Sequence, residues 1–192
     1  MGDRIMTNPP IGRAVLPDGW VIYDNPPVRG RSCGSCKLCC TLTPVDAVEL
    51  QKPANVKCKH LGAKGCRIYD HRPEPCAFWS CRWLIDPDTA SMRRPDLVGY
   101  LVDPQRATVR IRGQLVEAIQ VYVDPDRPDA HRDPELRAYL DRLGKQFTIP
   151  TIVRWSNEDN GMLLVPPSLR ADGEWHEQTS ELVPREVFEG GN

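Results

Sequence analysis

The sequence predicts an α+β chain, in which a small metal-nucleated cysteine-rich region with short helices precedes an antiparallel strand and helix layer. Three observations predict it. All eight cysteines fall between Cys33 and Cys81, with none elsewhere in the 192 residues. After Pro95 come β-branched runs over 98–102, 107–112 and 115–123, separated by turn residues at Asp103-Pro104 and Gly113-Gln114. Leu136, Leu140 and Leu143 then recur at i, i+4, i+7, the stripe of one amphipathic helix. The organisation that follows is an N-terminal extension (1–28), a cysteine-cluster region (29–94), a small α+β region (95–165) and an acidic C-terminal tail (166–192).

The cysteines are spaced C-x2-C-x2-C-C-x17-C-x7-C-x9-C-x4-C: Cys33, Cys36, Cys39, Cys40, Cys58, Cys66, Cys76 and Cys81. If residues 33–40 wind helically, the first four sulfurs share one arc of about 120°. The alternative is a turn at Cys33-Gly34-Ser35-Cys36 followed by a short helical turn through Cys39 and Cys40. Either way the thiols converge. Thr43, Pro44 and Asp46 form a T-x-x-D start for a helix ended by Pro53. Arg72-Pro73-Glu74-Pro75 favours an extended approach to Cys76. A short helix follows across Phe78, Trp79, Trp83 and Leu84, and the two tryptophans flank Cys81, as a shield for a cluster or as ordinary core.

Beyond the cysteines, Val109-Arg110-Ile111-Arg112 alternates apolar and basic, a strand with one buried face. Asp133 caps the amphipathic helix, Pro134 takes its first turn, and it runs to about Gln146. Two further strands are expected at 151–155 and 162–165. Asp124, Asp126 and Asp129 lack the Gly and distal Glu of a calcium loop and read as a turn. His131 and His176 are expected at the surface, and the tail from Pro166 is acidic, turn-rich and partly disordered.

Composition narrows the classes of function. A length of 192 residues (21.7 kDa) suits one domain with an appendage, and 14 Gly with 19 Pro imply many turns. No apolar run reaches the ~18 residues of a membrane span. The first twenty residues lack a secretory apolar core, and Met6 breaks the N-myristoylation pattern, so the expectation is a soluble, cytoplasmic chain. A net charge of −1 and a pI of about 6.4 argue against nucleic acid as a partner. The charge is unevenly placed: residues 29–94 hold twelve Lys/Arg against six Asp/Glu, and residues 95–192 hold eleven against seventeen.

Local confinement of the cysteines favours metal–thiolate ligation over disulfides, because a reducing compartment disfavours the latter. Metal binding deprotonates thiols, and eight thiolates around two divalent zincs keep a charge of about −4 that the basic segment offsets. Zinc in closed four-thiolate sites and iron in an iron–sulfur cluster are both compatible, the second through the C-x2-C-x2-C run of Cys33, Cys36 and Cys39. His60 and His71 sit between the cysteines and could substitute as ligands, but eight cysteines already fill two four-coordinate sites. GxSxG, HExxH, P-loop and GxGxxG patterns are all missing, so the reading is a binding protein rather than an enzyme.

The segment from Cys33 to Cys81 resembles the CxxCxxCC cysteine-cluster family, described as zinc- or iron-chelating. Cys33-Gly34-Ser35-Cys36-Lys37-Leu38-Cys39-Cys40 is similar to its opening motif. Cys58-Lys59-His60-Leu61 with Gly65-Cys66-Arg67-Ile68-Tyr69 resembles its C-x-x-L…C-x-I-Y element. Arg72-Pro73-Glu74-Pro75-Cys76 leading to Cys81 resembles its R-P-x-x-C-x4-C close. Ala77 stands where the family often has a basic residue. The resemblance covers about a quarter of the chain and implies chelation by all eight cysteines, with metal ions as partners and an unidentified protein partner open. The alternative is a redox or modification component carrying an iron–sulfur cluster, since related clusters accompany flagellin lysine methylases.

Overall fold

The computed structural model describes residues 12–15, 21–24, 26–63, 65–155 and 160–181. Two short strands, β1 (Gly12–Val15) and β2 (Val21–Asp24), pair as an antiparallel hairpin in the N-terminal extension. The cysteine region is a string of very short pieces. They are α1 (Leu38–Leu42), the hairpin β3 (Val45–Ala47) and β4 (Leu50–Lys52), the hairpin β5 (Leu61–Gly62) and β6 (Gly65–Cys66), then α2 (Glu74–Phe78) and α3 (Arg82–Ile85). The rest is α4 (Pro95–Val98), β7 (Tyr100–Ile111), β8 (Gln114–Val123), α5 (Pro134–Phe147), β9 (Thr151–Arg154), β10 (Asn160–Val165) and β11 (His176–Glu181). The α+β class holds.

Five strands form one sheet in the order β11-β10-β9-β8-β7. The layer is mixed rather than purely antiparallel. β8 and β9 run parallel, in the register Ile119↔Thr151 and Val121↔Val153, because α5 carries the chain back between them. Asp133 starts α5 as expected, its carboxylate accepting from the backbone N–H groups of Glu135 and Leu136 at 3.0 and 3.1 Å. The leucine stripe Leu136, Leu140 and Leu143 packs with Tyr100, Val102, Ile119, Val121, Val153 and Leu164 on one face of the sheet.

Four expectations are corrected. Residues 43–53 are not a helix: Thr43 instead ends α1, its hydroxyl donating to Cys39 O at 2.9 Å, and β-branched Val45 with the alternately buried Leu50 and Lys52 makes a hairpin. Asp103-Pro104 is not a turn between strands but a register shift inside the continuous β7, between Val102 and Arg106. The helix across Phe78–Leu84 breaks into α2 and α3, with Trp79–Cys81 extended between them, and Cys76 lies within α2. His131, expected at the surface, is buried at 4% exposure, with its ring stacked on Trp155 and Nδ1 2.8 Å from Pro128 O. Within the tail, β11 continues the sheet by pairing with β10. Asp124 behaves as a turn residue, accepting from Asp126 N at 3.1 Å.

Gly144 shows how closely the chain after β10 packs on α5. A Cβ there would lie 2.5 Å from Pro166 Cγ, and Ser168 N donates to Asp141 Oδ1 at 2.9 Å in the same contact. Gly144→Ala, ordinarily stabilising in a helix, should destabilise the fold by about 1–2 kcal/mol, read as a lower urea midpoint with unchanged slope.

Candidate functional site

Cys39 and Cys81 pack on the second face of the sheet. Strand alternation turns Leu101 and Tyr122 away from α5, and both are 2% exposed. They form a cluster with Leu42 and Ala54, against which Leu38, Cys39, Trp79 and Cys81 pack. The residues that position the thiols are therefore apolar residues of the cysteine region itself, docked on β7 and β8. Trp79 lies in this cluster beside Cys81. Trp83 does not: it packs with the α5-side core, its indole N–H donating to Met92 O at 3.0 Å and the Arg31 guanidinium 5.1 Å from its ring centre.

All eight cysteines are free thiols, Cys33 exposed and the others half-buried. The opening motif is a turn and then a helix, the second of the two geometries expected for it. Gly34 takes φ +51°, Cys36 N donates to Cys33 O at 2.8 Å, and α1 begins at Leu38. Cys58 is drawn to α1 by its own N–H, which donates to Cys40 O at 2.9 Å. His60 N donates to Cys58 Sγ at 3.4 Å, and Cys66 sits opposite Leu61 in the β5–β6 ladder. His71 is exposed in the turn before α2.

The thiols lie within electrostatic reach of one another. Cys33 faces Cys40, Cys39 faces Cys40, Cys36 and Cys33, Cys76 faces Cys40, Cys58 and Cys66, and Cys81 faces Cys33 and Cys36. As the side chains stand, no three His, Cys, Asp or Glu among the described residues close on one point to hold a metal ion. The donor chemistry nonetheless fits a thiophilic metal: soft, unoxidised sulfurs, gathered and beside fixed cations.

Those cations are specific residues of the basic segment. Lys52 is 5% exposed, and its ammonium donates to Val56 O at 2.8 Å and to Thr41 O and Pro53 O at 3.2 Å. It faces Cys58, Cys40, Cys39 and Cys76. Arg72 stacks 3.8 Å from the Tyr69 ring centre and faces Cys33, Cys40 and Cys76. Arg94 faces Cys33 and Cys36 while holding Asp96 at 2.6 Å and donating to Ser35 Oγ at 3.0 Å.

Burial dominates the acidity of most of these thiols. It pushes Cys33, Cys36 and Cys76 above the usual thiol value and Cys81 up to about 12. Cys39 and Cys40 share a hydrogen bond that raises Cys39, with burial adding to it. The same bond, with Lys52 and Arg72 nearby, lowers Cys40 to about 6.

Two residues escape sequence reasoning. Lys52 carries no signal because it falls at the end of the expected helix. Asp103 falls in the expected turn, yet it is 6% exposed and links the cysteine region to the sheet. Its Oδ1 accepts from Trp79 Nε1 at 3.1 Å and from Gln105 N at 2.9 Å, and its Oδ2 from Gln120 Nε2 at 3.3 Å. Gln120 in turn accepts from Arg154 at 2.9 Å.

Scans against protein-family models, curated proteins and solved structures return no match to this chain. The described residues define an α+β protein with a mixed five-stranded sheet and eight free thiols. Among them, no helix is long and apolar enough to cross a membrane.

Burial raises Asp103 to about 6. The folded carboxyl therefore holds its proton to higher pH than the unfolded one. The stability this confers is full below pH ~4 and is lost as pH rises through about 6, by an amount on the order of 3 kcal/mol. Asp103→Asn, which keeps the acceptor for Trp79 and Gln105, should remove that slope. Relative to wild type, the variant should gain stability between pH 4 and pH 7, measured by urea unfolding at each pH. A constant difference across that range would refute the assignment.

Proposed function

We propose that the chain is a metal-binding protein that chelates zinc or iron, the latter as an iron–sulfur cluster, through Cys33, Cys36, Cys39, Cys40, Cys58, Cys66, Cys76 and Cys81. The observation that carries this reading is eight free thiols within electrostatic reach of one another and of Lys52, Arg72 and Arg94, with Cys39 and Cys81 packed on the second face of the sheet. A cation as buried as Lys52 is costly without an anionic neighbour, and metal-bound thiolates supply one. The resemblance of residues 33–81 to the CxxCxxCC family supports the same ligand set. When bound, a closed thiolate-ligated metal supplies folding free energy rather than a reaction centre. The residues of the chain do the rest. Leu42, Leu101 and Tyr122 fix α1 and the Trp79–Cys81 segment, Trp79 covers the apolar side, and the cations stabilise the thiolates.

A second reading, an iron–sulfur centre exchanging electrons with a partner protein, is favoured by the exposure of Cys33, which leaves one corner of the site open to solvent. A cytoplasmic setting suits both readings, because free thiols persist where they are kept reduced.

Metal content and the absorption spectrum of protein purified without oxygen and without added metal test the proposal. A colourless sample with about two zincs per chain supports the closed chelator. A brown one with iron and acid-labile sulfide supports the electron carrier, and protein without metal overturns both. Cys36→Ser should bind less metal than wild type and unfold at a lower urea midpoint, since binding and folding are coupled in such sites.

A further inference from the structure

The thiols are not evenly mixed. Cys36 and Cys39 face Cys33, Cys39 also faces Cys36, and Cys81 faces Cys33 and Cys36. Cys76 faces Cys40, Cys58 and Cys66. Across these two groups the neighbours are Cys33 with Cys40 and the adjacent pair Cys39 and Cys40. Resting on the metal-binding reading above, we propose that the eight thiols form two separate four-thiol centres, Cys33/Cys36/Cys39/Cys81 and Cys40/Cys58/Cys66/Cys76, divided at the Cys39–Cys40 peptide bond and sharing no sulfur.

The backbone supports the division. Neighbouring residues on a helix are about 100° apart around its axis, and the Cys39 and Cys40 thiols on α1 still share a hydrogen bond, so the two sets meet at this pair. Cys39 packs with Cys81 against the Leu42, Leu101 and Tyr122 cluster on the sheet. The turn closed by Cys36 N and Cys33 O brings the other two members of that set alongside. On the other side of α1, the bond from Cys58 N to Cys40 O ties the β5–β6 hairpin, and with it Cys66, to Cys40. Pro73 O accepts from Cys76 N at 2.9 Å at the start of α2, and Cys76 lies within electrostatic reach of Cys58 and Cys66.

Charge divides only in part. Arg94 faces Cys33 and Cys36 of the first set, whereas the buried Lys52 faces Cys40, Cys58 and Cys76 of the second and also Cys39 of the first. Arg72 lies between, facing Cys33 from one and Cys40 and Cys76 from the other. Four thiolates complete one zinc site or hold one cubane cluster, so each set is a whole site without borrowing. In each set a bound zinc would be held by four thiolates, the four thiol protons passing to the buffer. Among the described residues no three of these donors stand around one point, so each site would be completed only on loading.

Cadmium NMR of the reduced full-length chain loaded with 113Cd2+ tests the division on wild-type protein. Two signals in the four-thiolate range without Cd–Cd coupling are expected, because coupling needs a bridging sulfur. Coupled signals, or a single bound ion, would overturn the division while leaving metal binding intact. No uptake of cadmium would overturn metal binding itself, and the division with it. Cys81→Ser and Cys36→Ser should each abolish the same signal and halve the bound metal, and Cys66→Ser should abolish the other. Loss of both signals in a folded single variant, judged by an unchanged far-ultraviolet spectrum, would count against two centres.

Discussion

The cysteine region owes its place to a sheet that buries both faces. On one side, α5 covers Tyr100, Val102, Val121 and Val153. On the other, Leu101 and Tyr122 receive Leu42, Ala54, Trp79 and the thiol-bearing turns. Strands buried on both sides cannot alternate apolar and polar residues cleanly, and β8 is fully buried from Ala118 to Val123. The elements of the cysteine region are two to five residues long, too short to hold together by their own hydrogen bonds. Their order comes from the sheet beneath them and from whatever draws the thiols together.

Between those two sources of order lies a polar connection. Asp103 reaches Trp79 on one side and Gln120 on the other, and Gln120 continues to Arg154, which also approaches the Tyr122 hydroxyl at 3.3 Å. The register shift between Val102 and Arg106 is what turns this carboxyl inward within β7. Arg82, next to Cys81, reinforces the join by donating to Asp103 O and Pro104 O. Buried polar groups of this kind specify one docking geometry, because any slippage leaves donors or acceptors unmatched in a low-dielectric setting.

Legibility in the sequence follows the range of the forces involved. The amphipathic helix, its Asp133 cap and the strands near 115–123 and 151–154 were readable, since they rest on local periodicity and capping. The turn-then-helix form of Cys33–Cys40 was one of two geometries open on local grounds, and Gly34 and Ser35 pointed to it. The hairpin at 45–52 was not readable: Thr43, Pro44 and Asp46 imitate a helix start, and only the burial of Leu50 and Lys52 decides for strands. Lys52 was invisible for a related reason, because only the folded chain brings the Thr41, Pro53 and Val56 carbonyls and the thiols around its ammonium. The order of β11 depends on pairing with β10, which no tail composition reveals.

The acidity of the thiols sets the sequence of events that the fold permits. Burial favours the neutral form of Cys33, Cys36, Cys76 and Cys81, and Cys81 packs uncharged against the Leu42, Leu101 and Tyr122 cluster. Cys40, lowered by its bond from Cys39 and by Lys52 and Arg72, is the thiol readiest to give up its proton. On the proposed reading, Cys40 would be the first donor to hold an incoming metal ion, and the buried thiols would follow once deprotonated. Three carbonyls hold the Lys52 ammonium in place beside them. Lys52 and Arg72 would then favour the Cys40 thiolate before loading and offset the anionic centre after it.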